Sequence, residues 1–205
     1  MRAERKEREF NLRRAAILQE AEKIFSAKSY HDVTVAEIAN ASGFAIGSLY
    51  QFFESKEHLY TTMISEKLDL MYAGIRAEVN SVKDVLEKIS RLVEAHLMFI
   101  ENNTDFCRIF LRGENDALSE MMTSLREKLI DDYFHHIAFV EGILKTGIKN
   151  GLLRSLPAHA VGSALIHLIR SAASEWMLRP SAEPLLAKKD FILDIFFYGV
   201  KKNDR

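Results

Sequence analysis

The sequence predicts an all-α protein of about nine helices. Apolar residues recur with the 3.6-residue period along most of the 205-residue chain, and no stretch alternates in the two-residue period of a strand. Three prolines and nine glycines leave little material for a loop-rich β design. A first helix is expected from Arg13, where Ile17, Ala21, Ile24 and Phe25 share a face, to about Ser29. The residues before it, MRAERKEREFNL, mix charges without an apolar stripe and are expected to form a flexible arm, 1–12. The second helix opens at "VTVAEIA". Thr34 and Glu37 have the spacing of a capping box, and Val33 with Ile38 that of a hydrophobic staple. It ends at Ser42-Gly43, where Gly43 can adopt the left-handed conformation. A short third helix spans Ala45 to Phe53, and Ser55 caps a long fourth that runs to about Asn80.

Helical spacing continues beyond. Val85, Ile89, Leu92, His96 and Phe99 mark the fifth helix, and Thr104 to Arg112 the sixth. Leu118, Met122, Leu125, Leu129, Tyr133, His136 and Val140 carry the seventh to Asn150-Gly151. Pro157 opens an eighth that runs to Leu178, "RPSAEP" breaks it, and Lys188 to Val200 forms a ninth, apolar around most of its girth. A net charge of −1 supplies no whole-chain field for a polyanion, so any such site has to be local. One cysteine, Cys107, excludes an internal disulfide framework and fits a reducing cytoplasm. No secretion signal or run of 18 apolar residues is present, so no membrane partner is expected. No nucleophile–base–acid set, phosphate loop or metal framework appears. The expectation is no enzyme, no cofactor and no metal, the i, i+4 pairs Asp131/His135 and Asp132/His136 being a salt-bridged helix surface.

The second and third helices, joined by a short turn with a glycine, match the helix-turn-helix plan. Leu49 and Phe53 would anchor the third helix to the first two, while Gly47, Ser48 and Gln51 offer a thin polar side to a DNA groove. Gln51 can pair an adenine edge and Ser48 several bases. Lys56 and Thr34, at helix N-termini, suit phosphates.

"TVAEIANASGFAIGSLYQFFESKEHLY" resembles the DNA-binding signature of the tetracycline-repressor (TetR) family of bacterial transcription regulators, over about Arg13 to Tyr60. The resemblance implies a homodimer on double-stranded, pseudo-palindromic operator DNA, acting as a cytoplasmic repressor released by a small apolar effector. It implies three parts: the arm 1–12, a DNA-binding domain 13–60, and a helical ligand-binding and dimerisation domain 61–205. Carried over, Thr34, Tyr50 and Lys56 contact phosphates, and Ala45, Ile46, Gly47, Ser48, Gln51 and Phe52 lie at or near the groove. The chain departs from the pattern at three places. Ala45 cannot cap where a serine or threonine is usual, Ile46 replaces a polar group, and Phe52 lacks a hydroxyl. Weaker phosphate contact and a shallower salt dependence are expected, with the basic arm as a possible compensation.

In the second part, Met71, His96, Phe99, Phe106, Phe110, Met122, Tyr133, His136 and His167 are candidates for an effector chamber of apolar walls and a few orienting polar groups. Leu165, Leu168, Ala172 and Trp176 of the eighth helix, with Ile192, Ile195 and Phe196 of the ninth, are candidates for a four-helix dimer seam. Two other classes fit less well: a DNA-bound structural or division-control protein on the same fold, and a helical ligand- or metal-dependent enzyme.

Overall fold

The computed structural model describes residues 2–113, 123–179 and 183–200. The described chain is helical, with no strand: α1 (Arg2–Ala27), α2 (Val35–Ser42), α3 (Ile46–Leu49), α4 (Lys56–Asn80), α5 (Val85–Asn102), α6 (Thr104–Gly113), α7 (Thr123–Lys149), α8 (Ala158–Leu178) and α9 (Lys189–Val200). A 3-10 turn, Leu185–Lys188, leads into α9. Two compact units result. One holds the chain up to Lys67 together with Asp105 to Arg126; the other holds Leu68 to Thr104 and the chain from Glu127. The sequence motif places a boundary at 60/61, whereas the compact units divide inside α4.

Residues 2–12, expected as a flexible arm, are the first turns of α1. They carry no buried stripe, which is why periodicity missed them. Their support comes from an i, i+4 ion pair, Glu9 with Arg13, and from Phe10, whose ring lies 4.5 Å from that of Phe52. Further along, α1 buries Ile17, Ala21 and Phe25 in the core of the first unit.

Local signals fix the ends of α2 and α4. Thr34 Oγ1 accepts from the Glu37 backbone N–H at 3.1 Å, half of the expected capping box. The Glu37 carboxylate pairs with Lys28. Gly43, at φ 75°, closes α2 with its N–H on the Ala39 and Asn40 carbonyls. Ser55 Oγ accepts from the His58 N–H at 3.0 Å, and His58 Nδ1 accepts from the Glu54 N–H at 3.1 Å. Two N–H groups that the helix start leaves unpaired are thereby satisfied.

The second unit is centred on Val79, Ile89, Leu92, Val93, Leu97, Ile137, Val140, Leu144, Leu165 and Ile169, all fully buried. Each such aliphatic side chain contributes about 1.5–3 kcal/mol by leaving water. Asp84 caps α5 by accepting from the Glu87 N–H at 2.8 Å. Gly147 of α7 is required by close approach: a Cβ there would stand 2.7 Å from the Leu153 side chain.

Candidate DNA-binding and effector sites

The third helix is short, and its two sides differ. Leu49 is buried with Phe53 just beyond it, and both hold the segment to the first unit. On the other side Ile46 and Tyr50 are exposed by 46% and 53%, with Ala45, Gly47 and Gln51 exposed beside them. A Cβ on Gly47 would meet no atom within 4 Å, so this side is open. Ala45 makes no side-chain cap, as its chemistry dictates. Thr34 is exposed at the start of α2; its oxygen serves the cap, and its hydroxyl proton remains able to donate.

Behind this surface, Lys56 Nζ donates to the backbone carbonyls of Tyr30 and Val33, both at 2.8 Å, and lies 4.3 Å above the Tyr30 ring. Burial lowers its pKa from the usual lysine value, partly opposed by Asp32. The Tyr30, Tyr60 and Phe25 rings pack on one another edge to face and stacked, with centroids 4.8 to 6.0 Å apart. Arg14 makes two hydrogen bonds to Glu66, at 3.0 and 2.5 Å, and lies 5.5 Å above the Phe53 ring. Its pKa is raised, first by that hydrogen bond to Glu66.

In the second unit, His96 and His136 are buried and face each other, Nε2 to Nε2, at 3.0 Å. His96 Nδ1 donates to the Leu92 carbonyl at 2.7 Å. The Tyr72 ring lies 4.8 Å from that of His136. Burial pushes His96 down to about 4 and His136 to about 3, the latter helped by His96 and Arg76. Burial, with Asp132 adding to it, pushes Tyr72 up to about 12. Separately, a groove of about 220 Å³ runs between α4 and α5. Leu70, Met71, Ile75, Met98 and Phe99 make it apolar; Glu78, Arg91 and Glu94 give it a charged end. Glu94 holds Lys189 of α9 at 2.6 Å, which lowers its own pKa. On α7 and α8, Tyr133 Oη lies 3.2 Å from Ser163 Oγ, and His167 Nδ1 donates to the Ser163 carbonyl at 2.7 Å.

Residues 17–63 match the family model of bacterial regulatory proteins, tetR family. The fatty acid metabolism regulator protein of Bacillus subtilis is 20% identical over 188 residues, 90% of this chain and 93% of that one. The solved ketosteroid transcriptional regulator KstR2 of Mycobacterium tuberculosis superposes with a TM-score of 0.74 at 25% identity, covering 93% and 96% of the two chains. The regulator FadR of Bacillus subtilis, solved with stearoyl-CoA, gives 0.76 at 19% identity, covering 90% and 98%. The chain belongs to the TetR family of transcriptional regulators. These three relatives are named as regulators. No helix among its described residues is long and apolar enough to cross a membrane.

Several site residues of this TetR-family chain stand differently from the sequence expectation. Phe52, expected at or near the groove, is half-buried with its ring 4.5 Å from that of Phe10, 42 positions earlier. Lys56 is tied to two carbonyls, a bond that sequence cannot show because every residue has a carbonyl. The chamber candidates among the described residues fall in several places. Met71 and Phe99 line the groove, His96 and His136 form the buried pair, and Tyr133 and His167 meet through Ser163, with His167 exposed. Phe106 is fully buried in the first unit, and the Phe110 side chain and Met122 lie outside the described residues. Of the dimer candidates, Leu165, Ile192 and Phe196 are buried in their own subunit's core, with Leu168, Ala172 and Trp176 packed against it. Trp176 Nε1 donates to the Glu183 carbonyl at 2.9 Å. Of the candidates Ile195 is exposed, 45%, and with Phe191 and Tyr198, 62% and 85%, it makes the exposed apolar stripe of α9. Tyr72 was missed, although Leu68, Tyr72, Ile75 and Val79 share one helical face and all but Tyr72 are buried.

The buried histidines make stability depend on pH in a definite direction. Their folded pKa values lie below the ordinary 6.5, so between pH 6.5 and about 4 the unfolded chain binds more protons than the folded one. Their contribution is therefore full above pH 6.5 and lost as pH falls through that window, at up to about 1.4 kcal/mol per pH unit for each ring. Chemical denaturation at pH 6.5 and pH 5.0 is expected to show a loss of about 2–4 kcal/mol, flattened in a His96→Gln/His136→Gln variant.

Proposed function

We propose that this regulator is a cytoplasmic homodimer that represses transcription from a pseudo-palindromic operator and is released by a small, largely apolar effector. The observation that carries the reading is the open side of α3: Ile46, Gly47, Tyr50 and Gln51 exposed around a backbone that nothing crowds, with Leu49 holding the other side. On this reading, residues 13–60 are the DNA-binding part and 61–205 the effector and dimerisation part. Gln51 and Ser48 read base edges, Ile46 meets a thymine methyl, and Thr34 with Tyr50 fixes the backbone. Lys56 contributes its one remaining N–H to a phosphate, while its other two hold the start of α4.

Two-fold pairing through α8 and α9 would bury the Phe191, Ile195 and Tyr198 stripe and hold two recognition helices about 34 Å apart, one turn of the duplex. The effector class is supported by relatives whose names refer to fatty acids, an acyl thioester and ketosteroids. Such a ligand acts only through a difference in affinity between the DNA-bound and released states. Gel shift on DNA from the gene's own upstream region, with and without long-chain acyl thioesters, tests the reading. The expected result is a retarded dimer complex that the ligand dissolves. A lone protomer in sedimentation that retards no fragment would overturn it.

A further inference from the structure

Two hydrogen bonds fix the tautomers of the buried histidine pair. The Leu92 carbonyl can only accept, so His96 Nδ1, 2.7 Å away, carries a proton. A neutral His96 then has a bare lone pair on Nε2. His136 Nε2 stands 3.0 Å from it and has to be the donor. A charged His136 ring would find no solvent to share its charge and would stand in the field of Arg76, so His136 is neutral too. Its single proton lies on Nε2, and Nδ1 is an acceptor.

That Nδ1 is shut off from solvent, and no described protein group makes a hydrogen bond to it. The residue is 1% exposed. The rings of Tyr72 and Phe139 lie beside it, at 4.8 and 6.3 Å. A buried acceptor without a donor costs free energy that a well-placed O–H or N–H recovers. A metal ion is a poorer fit to the pair: the two Nε2 atoms, at 3.0 Å, point at each other and leave no room between them.

We propose that His136 Nδ1 is the polar anchor of the effector site, and that it accepts a hydrogen bond from a hydroxyl or amide N–H on an otherwise apolar effector. The proposal rests on the reading of this unit as effector-binding and deepens it. The chain Leu92–His96–His136 makes the anchor selective. It rejects a group that offers only acceptors, such as an ether, a ketone or an ionised carboxylate, because reversing the chain would leave His96 Nδ1 facing a carbonyl without its proton.

The full-length protein, labelled with nitrogen-15 at histidine, is titrated with 1-decanol and with decyl methyl ether, which shares its alkyl chain and lacks the donor. Decanol is expected to bind at least about tenfold more tightly and to move the His136 Nδ1 resonance, while the ether leaves it unmoved. In His136→Phe the preference should fall below about twofold. Equal affinity with an unmoved Nδ1 would overturn the anchor and leave the effector reading standing. If neither probe binds or releases operator DNA, the effector reading fails for alkyl ligands, and the ligand-free spectrum decides the anchor. A protonated Nδ1, or one already bonded to an ordered water alone, overturns it; a bare Nδ1 upholds it.

Discussion

Gly47→Glu is expected to abolish operator binding, by about 100-fold or more, in a protein that folds as well as the parent. The stability half of this result follows from the site. Gly47 has no left-handed φ to preserve, and a Cβ would meet nothing within 4 Å. Replacing glycine in a helix by a residue of higher propensity gains about 0.5–1 kcal/mol where the backbone allows it. The binding half follows from what lies opposite on the proposed reading. A carboxylate at the point of closest approach meets the phosphate field and fills the gap between backbone and groove, once in each half-site. A single wrong contact costs about 1–3 kcal/mol, and a two-fold complex carries the cost twice. Fluorescence anisotropy on the upstream fragment, with thermal unfolding by circular dichroism alongside, checks both halves. Undiminished affinity with an unchanged melting curve would mean that α3 faces something other than DNA.

The elements that the sequence made legible are those whose signals are local. Thr34 and Glu37 stand three apart, Gly43 takes the positive φ that ends α2, and Ser55 caps α4; each can be seen within five residues. The features that were not legible depend on partners far along the chain or without a side-chain identity. The turns of α1 before Arg13 are helical though mostly charges mark them, and their one phenylalanine finds Phe52. The apolar residues of α8 and α9 show two candidate faces, and periodicity cannot say which one the subunit itself covers. The core takes Leu165, Ile192 and Phe196, leaving Phe191, Ile195 and Tyr198 outward. The histidine pair was half legible. His96 and His136 each sit on an apolar face, but their mutual hydrogen bond joins positions 40 apart.

Lys56→Met is the substitution that separates a phosphate contact from a structural cation. A lysine that only touches a phosphate would leave stability unchanged when replaced, weaken all DNA sequences alike, and lower the salt slope by about one. The geometry demands more. The methionine chain could keep the packing over the Tyr30 ring, but the Tyr30 and Val33 carbonyls would lose the N–H groups that join the α1–α2 connection to the start of α4. Hydrogen bonds to a charged group are worth about 1.5–3 kcal/mol, and carbonyls left without a donor add to the loss. The expected cost is about 2–4 kcal/mol, a fall of roughly 5–15 °C in the melting midpoint for a chain of this size. Operator affinity should fall with it, because the same connection presents Thr34 and fixes α2, against which α3 is set. The two roles predict opposite outcomes for one melting curve. An unshifted midpoint with a reduced salt slope would return Lys56 to the phosphate alone, and a large shift would make it the bolt of the DNA-binding unit.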